Sequence, residues 1–211
     1  MPIIKLDHVS KTIKQRQILD DICLDLNQQL VYGFAGANGS GKTMLLKSII
    51  GFVHPNSGSI EVMGQKIRKD VLFSPKIGFS FGTEGLLPIL DGKTNLQLIL
   101  SAESLPSPAK KIEAMLELVG LDPHDRRKVK SYSLGMQERL SLGCALINDQ
   151  PIIILDEPTN GIDKKGQEFL VTLIKDLKKR KKTVLLTSHD EKFLALVSDQ
   201  IYEISEGRII E

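Results

Sequence analysis

Three short stretches of this 211-residue chain hold the side chains best suited to chemistry. The first, residues 36–43, reads GANGSGKT and fits the spacing G-x-x-x-x-G-K-[ST] of a phosphate-cradling loop. The first turn of a helix leaves its N–H groups unpaired and carries the positive end of the helix dipole, so an anion is stabilised there. Gly36, Gly39 and Gly41 let successive amides turn inward around a polyphosphate, with Ala37, Asn38 and Ser40 between them. Lys42 is expected to reach the β and γ phosphates, and the Thr43 hydroxyl is a hard oxygen ligand for Mg2+. The second stretch is Asp156–Glu157, directly after the apolar run 152–155. A phosphate loop needs a carboxylate from a neighbouring strand end to hold the metal, which is the position of Asp156. Glu157 extends past that end, where it could accept a proton from a water attacking the γ-phosphate; the alternative is a pair of acids capping the next helix. In the third stretch, His189 follows another apolar strand, either as a structural histidine or as a polar group for the γ-phosphate and attacking water.

Positioning these groups requires strands that end at one edge of a sheet. The apolar run 30–35 before the glycines predicts a strand, and the helical spacing from Lys42 to Ile50, stopped by Gly51, predicts a helix. Residues 3–9 and 18–26 predict two antiparallel strands separated by the polar stretch 11–17. Turn chemistry at 54–58 precedes a strand at 59–63, and another short strand at 77–81 precedes the loop 82–85. From Asp91 to about Gly120 the period becomes helical, with no intervening strand, and a third helix starts near Ser133. The unbroken run 152–155 reads as a strand buried on both faces. A helix over 165–179, a strand at 183–186, a helix at 191–197 and a final strand pair, 200–204 and 208–210, complete the alternation. Such alternation predicts an α/β fold whose largely parallel sheet carries helices on both faces, with ligands at the carboxyl edge.

The length accommodates one domain with a full core. A net charge of +2 and 5% aromatic content, with no Trp, give no general attraction to nucleic acid and few stacking platforms, so no nucleic-acid partner is expected. Cys23 and Cys144 lack metal-ligand spacing and are expected as buried reduced thiols, which suits the cytoplasm. No apolar run approaches the roughly 18 residues of a spanning helix, and no leader-like start is visible. Any membrane role is expected from the side. The basic cluster 178–182 (KKRKK) reads as a solvated helix end.

Five motifs in order make the whole chain resemble an ATP-binding cassette (ABC) ATPase, the nucleotide-binding subunit of an ABC transporter. GANGSGKT resembles its Walker A, and residues 152–158 (IIILDEP) its Walker B with catalytic glutamate. SYSLGMQER at 131–139 resembles the signature, NGID at 160–163 the D-loop, and TSHD at 187–190 the histidine switch. The resemblance implies a P-loop NTPase fold of the RecA-like kind, with an N-terminal antiparallel β subdomain and an α-helical insert. On this reading the core spans about residues 1–83 and 148–211, and the helical subdomain about 84–147. It implies ATP and Mg2+ as ligands, with Lys42, Glu157 and His189 catalytic, residues 36–44 on the nucleotide, and Thr43 and Asp156 on the metal. Ser133, Leu134, Gly135, Met136 and Gln137 would meet the ATP held by a second copy in a head-to-tail homodimer, and Asp163 would communicate across that interface. The implied partner is a separate transmembrane permease, docked near 82–88, with the cassette at the cytoplasmic face of the membrane.

Some positions depart from the family pattern. Ile13 aligns where an aromatic residue usually stacks on adenine, which predicts weak ATP affinity and little base selectivity. Gly82 stands in place of the Q-loop glutamine, leaving Thr83 or Glu84 as substitutes. Met44 limits one α-phosphate contact to the backbone N–H. Leu134 and Met136 give the signature a form resembling transporters for peptides, bacteriocins or drugs. A soluble, non-transport ABC ATPase and a nucleotide-gated regulatory module with little turnover are the alternatives.

Overall fold

The structure, a computed structural model, describes residues 2–102 and 109–210. The chain opens with a hairpin, β1 (Ile4–Ile13) and β2 (Arg16–Leu26). Its turn residues Lys14 and Gln15 both have positive φ, 46° and 65°, as a tight two-residue hairpin requires. The polar stretch 11–17, expected as a connection, is therefore mostly strand. Cross-strand pairing overrides its composition: Ile13 pairs with Arg16, and the Thr12 hydroxyl donates to Gln17 Oε1 at 2.7 Å.

There follow β3 (Val31–Ala35), α1 (Lys42–Ile50), β4 (Ser57–Val62), β5 (Gln65–Lys66) and β6 (Ile77–Ser80). Next come α2 (Gly92–Ala102), α3 (Ala109–Leu118), a 3-10 turn (Val129–Ser131) and α4 (Leu134–Leu146). The middle of the predicted helical region, residues 103–108, lies outside the described residues. The chain closes with β7 (Ile152–Leu155), α5 (Lys164–Lys179), β8 (Thr183–Thr187), α6 (Glu191–Val197), β9 (Gln200–Ser205) and β10 (Arg208–Ile209).

Two sheets result. An antiparallel sheet has the order β2-β1-β4-β5; a six-stranded sheet has the order β10-β9-β3-β8-β7-β6, parallel except at β10. In β3, β7 and β8 every residue is buried, and successive side chains enter opposite cores. Tyr32, Phe34, Ile152, Ile154 and Leu185 pack with α1 and the antiparallel sheet. Val31, Ala35, Ile153, Leu155, Val184 and Leu186 pack with α4, α5 and α6. Continuous apolar strands are thus what a sheet covered on both faces demands. Gly78 of β6 permits the close approach of α4, since a Cβ there would overlap the Ala145 carbonyl.

Cys23 departs from expectation. On β2, Ile22 and Leu24 point into the core, so the intervening Cys23 faces solvent. Cys144 packs against the core, and burial pushes its thiol up to about 12. The basic cluster ending α5 is partly paired: Lys178 meets Asp199, while Arg180 and Lys182 both reach Asp149. No helix among the described residues is long and apolar enough to cross a membrane.

Candidate nucleotide site

Since β3, β8 and β7 are adjacent and parallel, the chain that leaves each one emerges at the same edge. After β3 the backbone turns sharply. Gly36 has φ 141°, and a Cβ on it would run into the Ile204 carbonyl. Gly41, the residue before α1, has φ 114°, and its Cβ would lie 2.8 Å from the Ile18 carbonyl. The loop is thereby pressed against β2 and β9, with its amides and the start of α1 converging. The first turn of α1 carries no acid, which leaves its positive end available to an anion. Ser40 Oγ is buried there without a hydrogen-bond partner, a polar atom that a phosphate oxygen would satisfy.

Lys42 is only 5% exposed and donates to the carbonyls of Gly36 and Ala37 at 2.7 and 3.1 Å. Its ammonium also lies 3.5 Å from Glu157 Oε1. The Thr43 hydroxyl donates to Asp156, 2.8 Å from Oδ2 and 3.0 Å from Oδ1. Glu157 has φ 48°, a backbone conformation that a non-glycine residue holds only when its surroundings impose it. Thr187, the fully buried last residue of β8, supplies part of that constraint. Its hydroxyl accepts from the Glu157 N–H at 2.8 Å and donates to Asp156 Oδ1 at 2.7 Å. The His189 N–H donates to Glu157 Oε2 at 3.3 Å, and its Nδ1 lies 2.9 Å from the same oxygen. Lys42, Thr43, Asp156, Glu157 and His189, expected from sequence to cooperate, are therefore brought together.

The signature residues stand elsewhere. Ser133 caps α4, accepting from the Met136 N–H at 3.3 Å. Leu134 is exposed, and a Cβ on Gly135 would meet nothing within 4 Å. Gln137 Nε2 donates to the Val129 and Tyr132 carbonyls, holding the preceding turn. Asp163 caps α5, accepting from the Gly166 N–H at 2.8 Å. Among the described residues, no hydrogen bond or ion pair links Ser133, Gly135 or Asp163 to the phosphate loop. Gly82 has φ 58° and lies beside the Glu138 carboxylate, which burial pushes above its ordinary pKa. Glu84 is engaged by Lys47 at 2.9 Å, tying the loop after β6 to α1.

A cleft of about 250 Å3 beside the loop is bounded by Gly39, Gly41, Thr43 and Met44 and, from β2, by Arg16 and Ile18. Sequence reasoning missed Thr187 as the link between the two acids, although a hydroxyl ending an apolar strand at this edge was a usable signal. It also missed Arg16, a cation in a polar stretch that belongs to no motif.

The ABC transporter family pattern matches residues 19–160. The chain belongs to the ABC transporter family. It is 35% identical over 207 residues to the uncharacterized ABC transporter ATP-binding protein YybJ of Bacillus subtilis (strain 168), covering 98% of this chain and 94% of that one. It is 34% identical over 209 residues to the lantibiotic transport ATP-binding protein SrtF of Streptococcus pyogenes, covering 99% and 89%. Among solved structures, the dimeric ATP-binding cassette MJ0796 in a post-hydrolysis state with ADP and Pi superposes with a TM-score of 0.90 at 25% identity, covering 99% and 97%. This chain is accordingly an ATP-binding cassette with the ABC ATPase fold, and an ATPase.

Proposed function

We propose that the cassette hydrolyses ATP in a two-copy sandwich to drive a separate membrane permease, with Glu157 as the general base. One observation carries this reading. Glu157 is fixed between Lys42 and His189, at the mouth of a loop suited to phosphates. The loop amides and Lys42 hold the β and γ phosphates. Thr43 and Asp156 present hard oxygens, a donor set that fits Mg2+. When bound, Mg2+ neutralises charge on the β and γ oxygens. Glu157 accepts a proton from water as the water oxygen bonds to the γ-phosphorus and the bond to the ADP oxygen breaks. With Nδ1 engaged by Glu157, His189 has Nε2 left for the substrate. In the sandwich, Ser133, Gly135 and the start of α4 would meet the partner's ATP, supported by the exposed, unobstructed surface there. Asp163, beside that surface, would report across it.

A division into a core of about residues 1–83 and 148–211 and a helical insert of about 84–147 suits the permease role. Between β6 and the insert runs an apolar groove of about 380 Å3, with Phe79, Leu86 and Ile99 in its lining. Phe52, Phe73, Leu87 and Ile89 are exposed on the neighbouring surface, more apolar area than solvent contact alone explains. This is our candidate permease dock, which would put the cassette at the cytoplasmic face. The lantibiotic relative and the form of the signature favour a peptide antibiotic or similar molecule as cargo.

The test is Glu157→Gln in the permease-bound cassette. Phosphate release should fall about 10²-fold or more with ATP still bound. Near-normal release would remove Glu157 from the role of base.

A further inference from the structure

We propose that Arg16 forms the base-side wall of the nucleotide cleft, stacking its planar guanidinium on the purine. This rests on the reading of the loop as an ATP site. A triphosphate seated on the loop leaves its base to the surfaces alongside, and two of the clefts that border the loop are lined from the hairpin. One has a volume of about 250 Å3 and the other about 940 Å3, and Arg16 and Ile18 line both. Neither is lined by an aromatic side chain, and Ile13 lines neither. The hairpin register sets Ile13 directly opposite Arg16, on the same face, so the position that lacks an aromatic ring has the guanidinium beside it. Among the described residues the Arg16 guanidinium makes no hydrogen bond or ion pair. The other arginine of the larger cleft, Arg208, is held by Asp20 at 2.6 Å. A free guanidinium is flat, weakly hydrated and suited to stacking on an aromatic face, whereas an ammonium has no such plane.

The discriminating experiment titrates ATP and inorganic tripolyphosphate into the cassette and its Arg16 variants. Arg16→Ala should weaken ATP binding about fivefold and leave tripolyphosphate binding unchanged. Arg16→Phe should restore ATP affinity, and Arg16→Lys should not. Equal weakening of both ligands would make Arg16 a phosphate contact and overturn the proposal, as would unchanged ATP affinity in Arg16→Ala. If instead Lys42→Ala leaves both ligands bound as in the wild type, the ATP-site reading itself falls.

A different observation carries a second inference: we infer that His8, Asp21 and Cys23 form a surface site for a zinc-class divalent cation. β1 bulges between Leu6 and Val9 and β2 between Leu19 and Ile22, and His8 and Asp21 adopt left-handed backbone, φ 51° and 53°. As a result, an imidazole nitrogen, a carboxylate oxygen and a thiol sulfur lie within 4.8 Å of one another on the solvent face. His8 Nδ1 is 2.7 Å from Asp21 Oδ1, and the His8 N–H donates to Cys23 Sγ at 3.4 Å. Mixed N, O and S donors suit Zn2+ or Co2+ rather than Mg2+, and three protein ligands leave one position for water. Rigid strands hold them, rather than a loop. Titration of the reduced, nucleotide-free cassette with Co2+ should give one equivalent bound with thiolate-to-metal absorption, lost in Cys23→Ser and weakened at least tenfold in His8→Ala. Cys144 is packed in the core and cannot supply that signal. No such absorption in the wild type, or absorption that survives Cys23→Ser, would overturn the site.

Discussion

At the phosphate end of the cleft, Lys42 begins the helix after β3, Asp156 and Glu157 follow β7, and Thr187 ends β8; at the other end stands the β1–β2 hairpin. The first group hangs from three adjacent, fully buried strands and is cross-linked by hydrogen bonds of 2.7–3.0 Å. The second is largely solvent-facing, with Ile13 and Ile18 aliphatic and Arg16 presenting a guanidinium beside the loop. Chemistry needs atoms held to within fractions of an ångström, and buried strand ends provide that. Recognition of the base tolerates a looser wall, because stacking has little directional demand. The contrast predicts a cassette that gains its affinity from the triphosphate and discriminates weakly among purines.

The largest effect should come from the rigid end. Lys42→Ala removes the buried cation that begins α1 beside the loop, and ATP binding by calorimetry should weaken about 10²-fold or more. Thr187→Val keeps the shape but strands the Glu157 N–H and takes from Asp156 Oδ1 the shorter of its two hydroxyl donors. It should destabilise the fold by about 1–3 kcal/mol in thermal unfolding and lower hydrolysis about tenfold. At the loose end effects should be smaller and can be gains. Ile13→Tyr supplies a ring on the hairpin and should tighten ATP binding by a few-fold, with GTP improving similarly. The smallest lies away from both ends. Burial raises the Glu138 pKa, so its carboxylate is penalised only while ionised. Glu138→Gln should therefore raise Tm by about 1–2 °C at neutral pH, a gain that begins to shrink as pH falls to the elevated pKa and is gone below the ordinary glutamate pKa.

The same contrast decides what could be read from sequence. The phosphate loop and Walker B acids are local patterns, in which residue type and spacing dictate the chemistry, and the structure brings them together. Strands buried on both faces announce themselves as unbroken apolar runs such as IIIL. The hairpin is different. Its polar residues 11–17 reveal their strand state only through pairing with each other, and the outward face of Cys23 depends on the register of β2. Arg16 was invisible for a related reason: a cation in a polar stretch carries no mark until the fold sets it beside Gly39 and Met44.

The composite nature of the site is the central claim, and mixing two defective cassettes tests it most directly. Lys42→Ala loses its own phosphate site and keeps its signature; Ser133→Arg does the reverse. Each alone in the permease complex should be nearly inactive, while an equimolar mixture should recover part of the ATPase activity through one intact site per mixed dimer. Wild-type hydrolysis by Ser133→Arg alone would contradict the account.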